Sequence, residues 1–168
     1  MMLEELIAKI ENVSKSEVKK AAPTDARDIH HIIRESVPRG PYDKMVLGYL
    51  TSLCAEHMYP GTFELDVNGL DYVGFELEKG IISVETAGDN MGSCMRHGKI
   101  IAKKAGDETG SSMVGGEIDA DEINSIGNTL GGKINVKKAH KISKEQGAEI
   151  FIKGVKYKRG FIDRLLGR

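Results

Sequence analysis

The sequence has no tryptophan, and four Phe and five Tyr are the only aromatic residues among 168. A core of this size must therefore be built mostly from aliphatic side chains. Two cysteines, Cys54 and Cys94, exclude a disulfide framework and a zinc-binding pair of CxxC motifs. No uninterrupted apolar run approaches the ~18 residues of a spanning helix. Neither sign of charge dominates: 24 Lys and Arg face 25 Asp and Glu, a net charge of −1. Such a chain has no overall field to steer nucleic acid or an anionic membrane. The opening Met1-Met2-Leu3-Glu4-Glu5 has acids where a secretory signal needs positive charge. A reduced, cytoplasmic protein is expected, with one domain or one domain plus a short appendage.

Glycine is what the chain has in plenty, 20 residues in all. Only Gly40, Gly48 and Gly61 fall in residues 1–61, which read as a helical region capping the glycine-rich remainder. Leu3, Leu6, Ile7 and Ile10 recur at i, i+3, i+4 and i+7 and mark one apolar stripe. Pro23-Thr24-Asp25 is a helix start ahead of Ile29 and Ile33. Val46, Leu50, Leu53, Cys54 and His57 share one face of a third helix, stopped by Pro60-Gly61. Phe63, Leu65 and Val67 then alternate as a half-buried strand does.

From there the glycines keep a period of 18. Gly74, Gly92 and Gly110 form one series, and Gly80, Gly98 and Gly116 another. Leu77, Met95 and Met113 are equivalent, as are Ile82, Ile100 and Ile118. Val84, Ala102 and Ala120 come two residues later, so the unit is G-x-x-Φ-x-x-G-x-I-x-(V/A). Gly132, Ile134 and Val136 make a fourth copy only 16 residues on, and Gly147–Ile152 a fifth, degenerate one. In each unit the I-x-(V/A) stretch is a short strand, and the preceding Gly supplies a corner where a Cβ would clash. One such rung cannot bury its own apolar side, so several must stack, with both ends capped. The fold predicted is mainly β with an α-helical N-terminal region: a right-handed single-stranded β-helix of roughly four to five rungs. Its parts are the helical region 1–61, the β-helix 62–155 and a C-terminal cap segment 156–168, which includes Phe161–Leu166.

The stretch Asp71-Tyr72-Val73-Gly74-x-x-Leu77-x-x-Gly80-x-Ile82-x-Val84 resembles the GXGXG domain. That domain is the C-terminal β-helix of the glutamate synthase large subunit, and a related one forms a subunit of formylmethanofuran dehydrogenase. Asp43-Lys44-x-x-x-Gly48-x-Leu50 with Tyr59-x-Gly61 after it is similar to the entry segment in glutamate synthase, with Lys44 in place of Arg. In both complexes the chemistry belongs to other domains or subunits. The resemblance therefore implies a non-catalytic scaffold component of an oxidoreductase complex, holding no cofactor and no metal. Its partners would be the protein subunits of a redox complex, or copies of itself.

Several short motifs resolve into the repeat. Gly127-Asn128-Thr129-Leu130-Gly131-Gly132-Lys133 has phosphate-loop spacing, but Ile134 stands where the Mg²⁺-binding hydroxyl belongs and is itself the repeat isoleucine. Asp89 and Asp107, each after a glycine, read as turn residues bonding locally. Residues 133–168 carry eleven Lys or Arg against Glu145, Glu149 and Asp163, a solvated face or a docking surface for an acidic partner. No aromatic platform accompanies that charge to suit RNA. The alternative to a scaffold is a small enzyme or ligand-binding protein. It would use a cleft between the helical region and the β-helix, around Cys54, His57, Tyr59 and Arg96.

Overall fold

The computed structural model describes residues 1–159. Six strands stack in chain order as one parallel sheet: β1 (Thr62–Leu65), β2 (Ile81–Thr86), β3 (Lys99–Ala105), β4 (Glu117–Ile126), β5 (Lys133–Ile142) and β6 (Glu149–Ile152). A two-residue strand, β7 (Val155–Lys156), folds back antiparallel on β6. Ile81 pairs with Lys99, Lys99 with Glu117, Glu117 with Lys133 and Lys133 with Glu149. The chain thus climbs one level every 18, 18, 16 and 16 residues, the first three of which are the intervals of the glycine repeat. The first level, from Thr62 to Ile81, takes 19. The result is a β-solenoid of about five turns, as the sequence predicts.

Phe63, Ile82, Ile100, Ile118, Ile134 and Ile150 lie one above another, and none is more than 2% exposed. Burying each is worth about 1.5–3 kcal/mol. Across the interior, glycine faces this file because nothing larger fits. A Cβ on Gly74 would sit 2.4 Å from Ile100 Cδ1, and one on Gly92 2.6 Å from Ile118 Cδ1. The second glycine series answers a different constraint, since a Cβ on Gly98 would lie 2.7 Å from the Gly80 carbonyl oxygen one level down. Leu77, Met95 and Met113 fill the remaining interior, each fully buried. In the shortened turn Thr129 takes that place, and Leu130 N–H donates to Met113 O as Val114 N–H does to Met95 O. The two lost residues come from a corner: β4 runs straight on to Ile126, whereas β2 and β3 end at Thr86 and Ala105.

On the outer face, charges alternate from level to level. Lys103 meets Glu85 at 3.1 Å, Lys137 meets Asp121 at 3.1 Å and Lys99 meets Asp119 at 3.1 Å. Asn135 Nδ2 donates to both Glu117 Oε1 and Asp119 Oδ1. A one-residue slip would bring these side chains inward and the isoleucines out, so both faces enforce one register.

Four helices precede the stack: α1 (Leu3–Ile7), α2 (Lys15–Ala21), α3 (Ala26–Glu35) and α4 (Pro41–Met58). Ile10 is buried but lies beyond α1, which is shorter than its apolar stripe. The sequence reading missed α2, although Ser14-x-x-Glu17 is a capping-box signature, and the Ser14 hydroxyl accepts from Glu17 N–H. Every residue of α4 from Val46 to Ala55 is buried. One side of α4 carries the other helices, and the other side stands in for a missing coil beneath the first turn. Thr51 Oγ1 accepts from Gly74 N–H at 2.9 Å, the role taken higher up by Val73 O for Gly92 and by Met91 O for Gly110. Ser52 Oγ donates to Phe75 O at 2.7 Å. Gly48 admits Tyr72, whose Cβ and carbonyl oxygen would each lie 2.5 Å from an added methyl. The expected C-terminal cap lies outside the described residues from Gly160 onward, so the Phe161–Leu166 expectation falls there too.

Replacing Ile100 with Ala should remove about 2–5 kcal/mol of stability, because the glycine across the interior cannot move in to close the gap. Gly98→Ala, adding one methyl at φ +84° against a carbonyl oxygen, should cost a similar amount. Urea unfolding of both variants measures this, and a Gly98→Ala protein as stable as the parent would contradict the packing described.

Candidate functional site

A broad concavity lies where α2 and the last turns of α4 meet the corners of the first two coils. Leu53, Glu56 and His57 come from the last two turns of α4, and Lys19 from α2. Glu78-Lys79 and Arg96-His97 are the same two positions of consecutive coils, 18 residues apart, and so rise one above the other. Together these residues enclose about 690 Å³. Lys15, outside this lining, engages its two acids: its ammonium lies 2.9 Å from Glu56 Oε1, 3.9 Å from Glu78 Oε2 and 2.8 Å from Glu76 O. Burial pushes the Glu56 carboxyl up from its ordinary value, and Lys15 opposes that rise. Glu56 Oε2 is buried without a hydrogen-bond partner among the described residues. Nearby, the Tyr49 hydroxyl donates to Glu76, its phenol raised by burial and by that carboxylate.

The four cleft residues expected from sequence do not all converge. His57 and Arg96 line the cavity. Cys54 does not: it is fully buried, its Sγ donates to Ala26 O at 3.6 Å, and burial raises the thiol to about 12. A thiol held neutral in this way is a poor nucleophile. Tyr59 is 57% exposed beside the cavity, with Lys79 Nζ 5.7 Å from its ring centroid. Lys19, Lys79 and His97 are not among the cleft residues expected from sequence, although the sequence places His97 beside Arg96 at a turn suited to a polar contact with a partner. The signal for Lys79 and His97 was available, since the period of 18 places them on one corner. Cys94 occupies a turn at φ +55° and is half-buried.

The turn aspartates also require a correction, because their side chains act between coils and not locally. Asp71 Oδ1 accepts from Asp89 N–H at 2.7 Å, and Asp89 Oδ1 from Asp107 N–H at 2.8 Å. Asp107 Oδ1 accepts from Ser125 Oγ and Asn124 Nδ2. Gly88 and Gly106 leave the space, since added methyls would lie 2.1 and 2.4 Å from the carboxylate oxygens below. Lys44, from α4, meets Asp71 at 3.0 Å and neutralises the foot of this ladder. Among the described residues no group of three or more His, Cys, Asp or Glu is placed to hold a metal ion. No described helix is long and apolar enough to cross a membrane. The chain matches no family model, no curated protein and no solved structure.

With the native protein at mildly alkaline pH, Cys54 should react with a disulfide reagent only as fast as the fold opens, while Cys94 reacts directly. Rapid labelling of both thiols would refute the burial assigned to Cys54. A second expectation concerns acid stability. Asp66 joins α3 to the end of β1 through Arg34 (2.8 Å) and His30 (2.8 Å), and the Arg34 guanidinium holds its carboxyl at about 2. Its folded value is lower than the unfolded one of about 4. The contact therefore stabilises above about pH 4 and is lost as pH falls toward 2. In thermal melts Asp66→Asn should sit slightly below the parent at neutral pH and fall less steeply between pH 5 and 2. Parallel curves for the two proteins over that range would show that Asp66 carries no such linkage.

Proposed function

We propose that the protein is a non-catalytic scaffold component of an oxidoreductase complex of the glutamate synthase or formylmethanofuran dehydrogenase kind. The observation that supports this reading is the use made of the polar side chains on the stack. Asp71, Asp89 and Asp107 bond the N–H groups or side chains of the coil above. Lys99, Lys103 and Lys137 meet carboxylates of adjacent coils, and the file of stacked side chains inside is apolar. These groups hold the rod in register and leave none of their reactivity for a substrate. An internally braced rod of this sort suits holding other units at a fixed separation. The glycine and isoleucine columns that build it are those on which the GXGXG resemblance rests. Both cysteines are unpaired, which suits the reducing cytoplasm proposed for it.

Native mass spectrometry of protein purified without overexpression tests the assignment. The expected result is a stoichiometric complex with larger redox subunits or a defined homo-oligomer. A stable monomer that carries no companion over a range of protein concentrations would overturn it.

A further inference from the structure

The corner occupied by Lys79 and His97 breaks the rule that the strands obey. Along the strands a basic residue meets an acid on a neighbouring level, as Lys103 meets Glu85 and Lys137 meets Asp121. At this corner Lys79 lies below His97 with no acid between them, beside the column in which Arg96 rises above Glu78. Arg96 beside them has no carboxylate within ion-pair distance among the described residues. The two acids that line the cavity are drawn to Lys15: Glu56 at 2.9 Å, and Glu78 at 3.9 Å. Lys19 and His57, from two different helices, turn into the same concavity. Three cations, Lys19, Lys79 and Arg96, and the two imidazoles of His57 and His97 therefore surround about 690 Å³, facing only two acids that Lys15 already engages.

The charges of Lys19, Lys79 and Arg96 around one cavity repel, and the fold gains nothing from placing them there. A concave site with convergent donors suits a ligand that supplies the missing negative charge. Arg96 presents a planar fork of donors that fits two oxygens of one phosphate or carboxylate group, and Lys19 and Lys79 act as point charges. We propose that this cleft binds a small polyanion, a molecule carrying at least two phosphate or carboxylate groups. Leu53 forms the apolar part of the lining, which suits a short hydrocarbon segment between those groups. The site joins the helical region to the first two coils, so its ligand would tie the cap to the stack.

Full-length ¹⁵N-labelled protein titrated at constant ionic strength with pyrophosphate, and separately with citrate, tests the proposal. Expected are saturable amide shifts centred on His57, Lys79, Arg96 and His97. Arg96→Ala and Lys79→Ala should each weaken binding about tenfold, the loss of one charge-assisted contact. Lys103→Ala, which removes a lysine already paired with Glu85, should leave it unchanged. All three positions are exposed, and circular dichroism confirms that each variant is folded. Tighter binding of pyrophosphate assigns a phosphate ligand, and tighter binding of citrate a polycarboxylate. Shifts that never saturate, that spread over all surface lysines, or that survive Arg96→Ala unaltered would overturn the proposal. The titration needs no partner subunit, so its outcome is independent of the scaffold reading.

Discussion

The interior of this rod is one side chain wide, and that dimension governs nearly everything else about the chain. Where Ile100 enters from the sheet, the opposite wall at Gly74 cannot carry even a methyl group. Each level must therefore repeat the same large-against-nothing pairing, and the sequence is periodic because the cross-section is constant. The scarcity of aromatic residues has the same origin. The middle levels hold no buried ring, and the buried rings gather where α4 and β1 meet the first coil. Tyr49 stacks on Phe75 at 4.3 Å, Tyr72 lies 4.9 Å from Phe75, and Phe63 meets His30 edge-on. Adaptable Met91, Met95 and Met113 fill the interior between.

A stack built this way has the weakness of every parallel sheet, an end that exposes unpaired backbone and unfinished core. The helical region removes that weakness at the N-terminal end by imitation. Thr51 supplies an oxygen where a coil would supply a carbonyl, and Ser52 a donor where a coil would supply an N–H. Gly48 keeps the helix close enough for both to reach, and Lys44 closes the charge of the aspartate ladder. The helix is accordingly buried all round along its middle, unlike an amphipathic surface helix. It belongs to the stack on one side and to α1, α2 and α3 on the other.

How much of this was legible in the sequence depended on whether a residue's partner was its own counterpart in the next coil. Ile82, Ile100 and Ile118 pile on one another, so identity at a period of 18 disclosed the fold, and Gly132-x-Ile134 disclosed the shortened turn. The aspartates were seen but misread, because Asp89 and Asn90 look like a local turn and only the pairing shows that the acceptor serves Asp107. The cap was found as a helical region but not as a surrogate coil, since Thr51 and Ser52 bond to backbone atoms 23 positions away that no pattern marks. The cleft was half legible. His57 and Arg96 lie near the junction of the two regimes, whereas α2, which contributes Lys19, carries an apolar face of one buried residue, Val18, too slight a signal for periodicity. Cys54 was grouped with them by helical spacing, and the same spacing turns it toward α3.

The contrast between the two kinds of polar group is what separates framework from site in this molecule. A carboxylate that accepts an N–H from the next coil fixes the rise and twist of the rod, and its worth depends on being satisfied. Glu56 is the exception on the framework side, with one oxygen bonded to Lys15 and the other buried without a donor among the described residues. Its carboxyl is raised by burial, so a proton on the orphaned oxygen is less costly there than in water. Lys19, Lys79 and Arg96 around the cleft are different in kind, since none of the contacts that brace the coils employs their side chains and their charges oppose one another. The ladders are satisfied along the stack, while three cations, two imidazoles and an orphaned carboxylate oxygen crowd the junction of cap and rod. Inconsistency concentrated in that way is expected where a protein meets something other than itself.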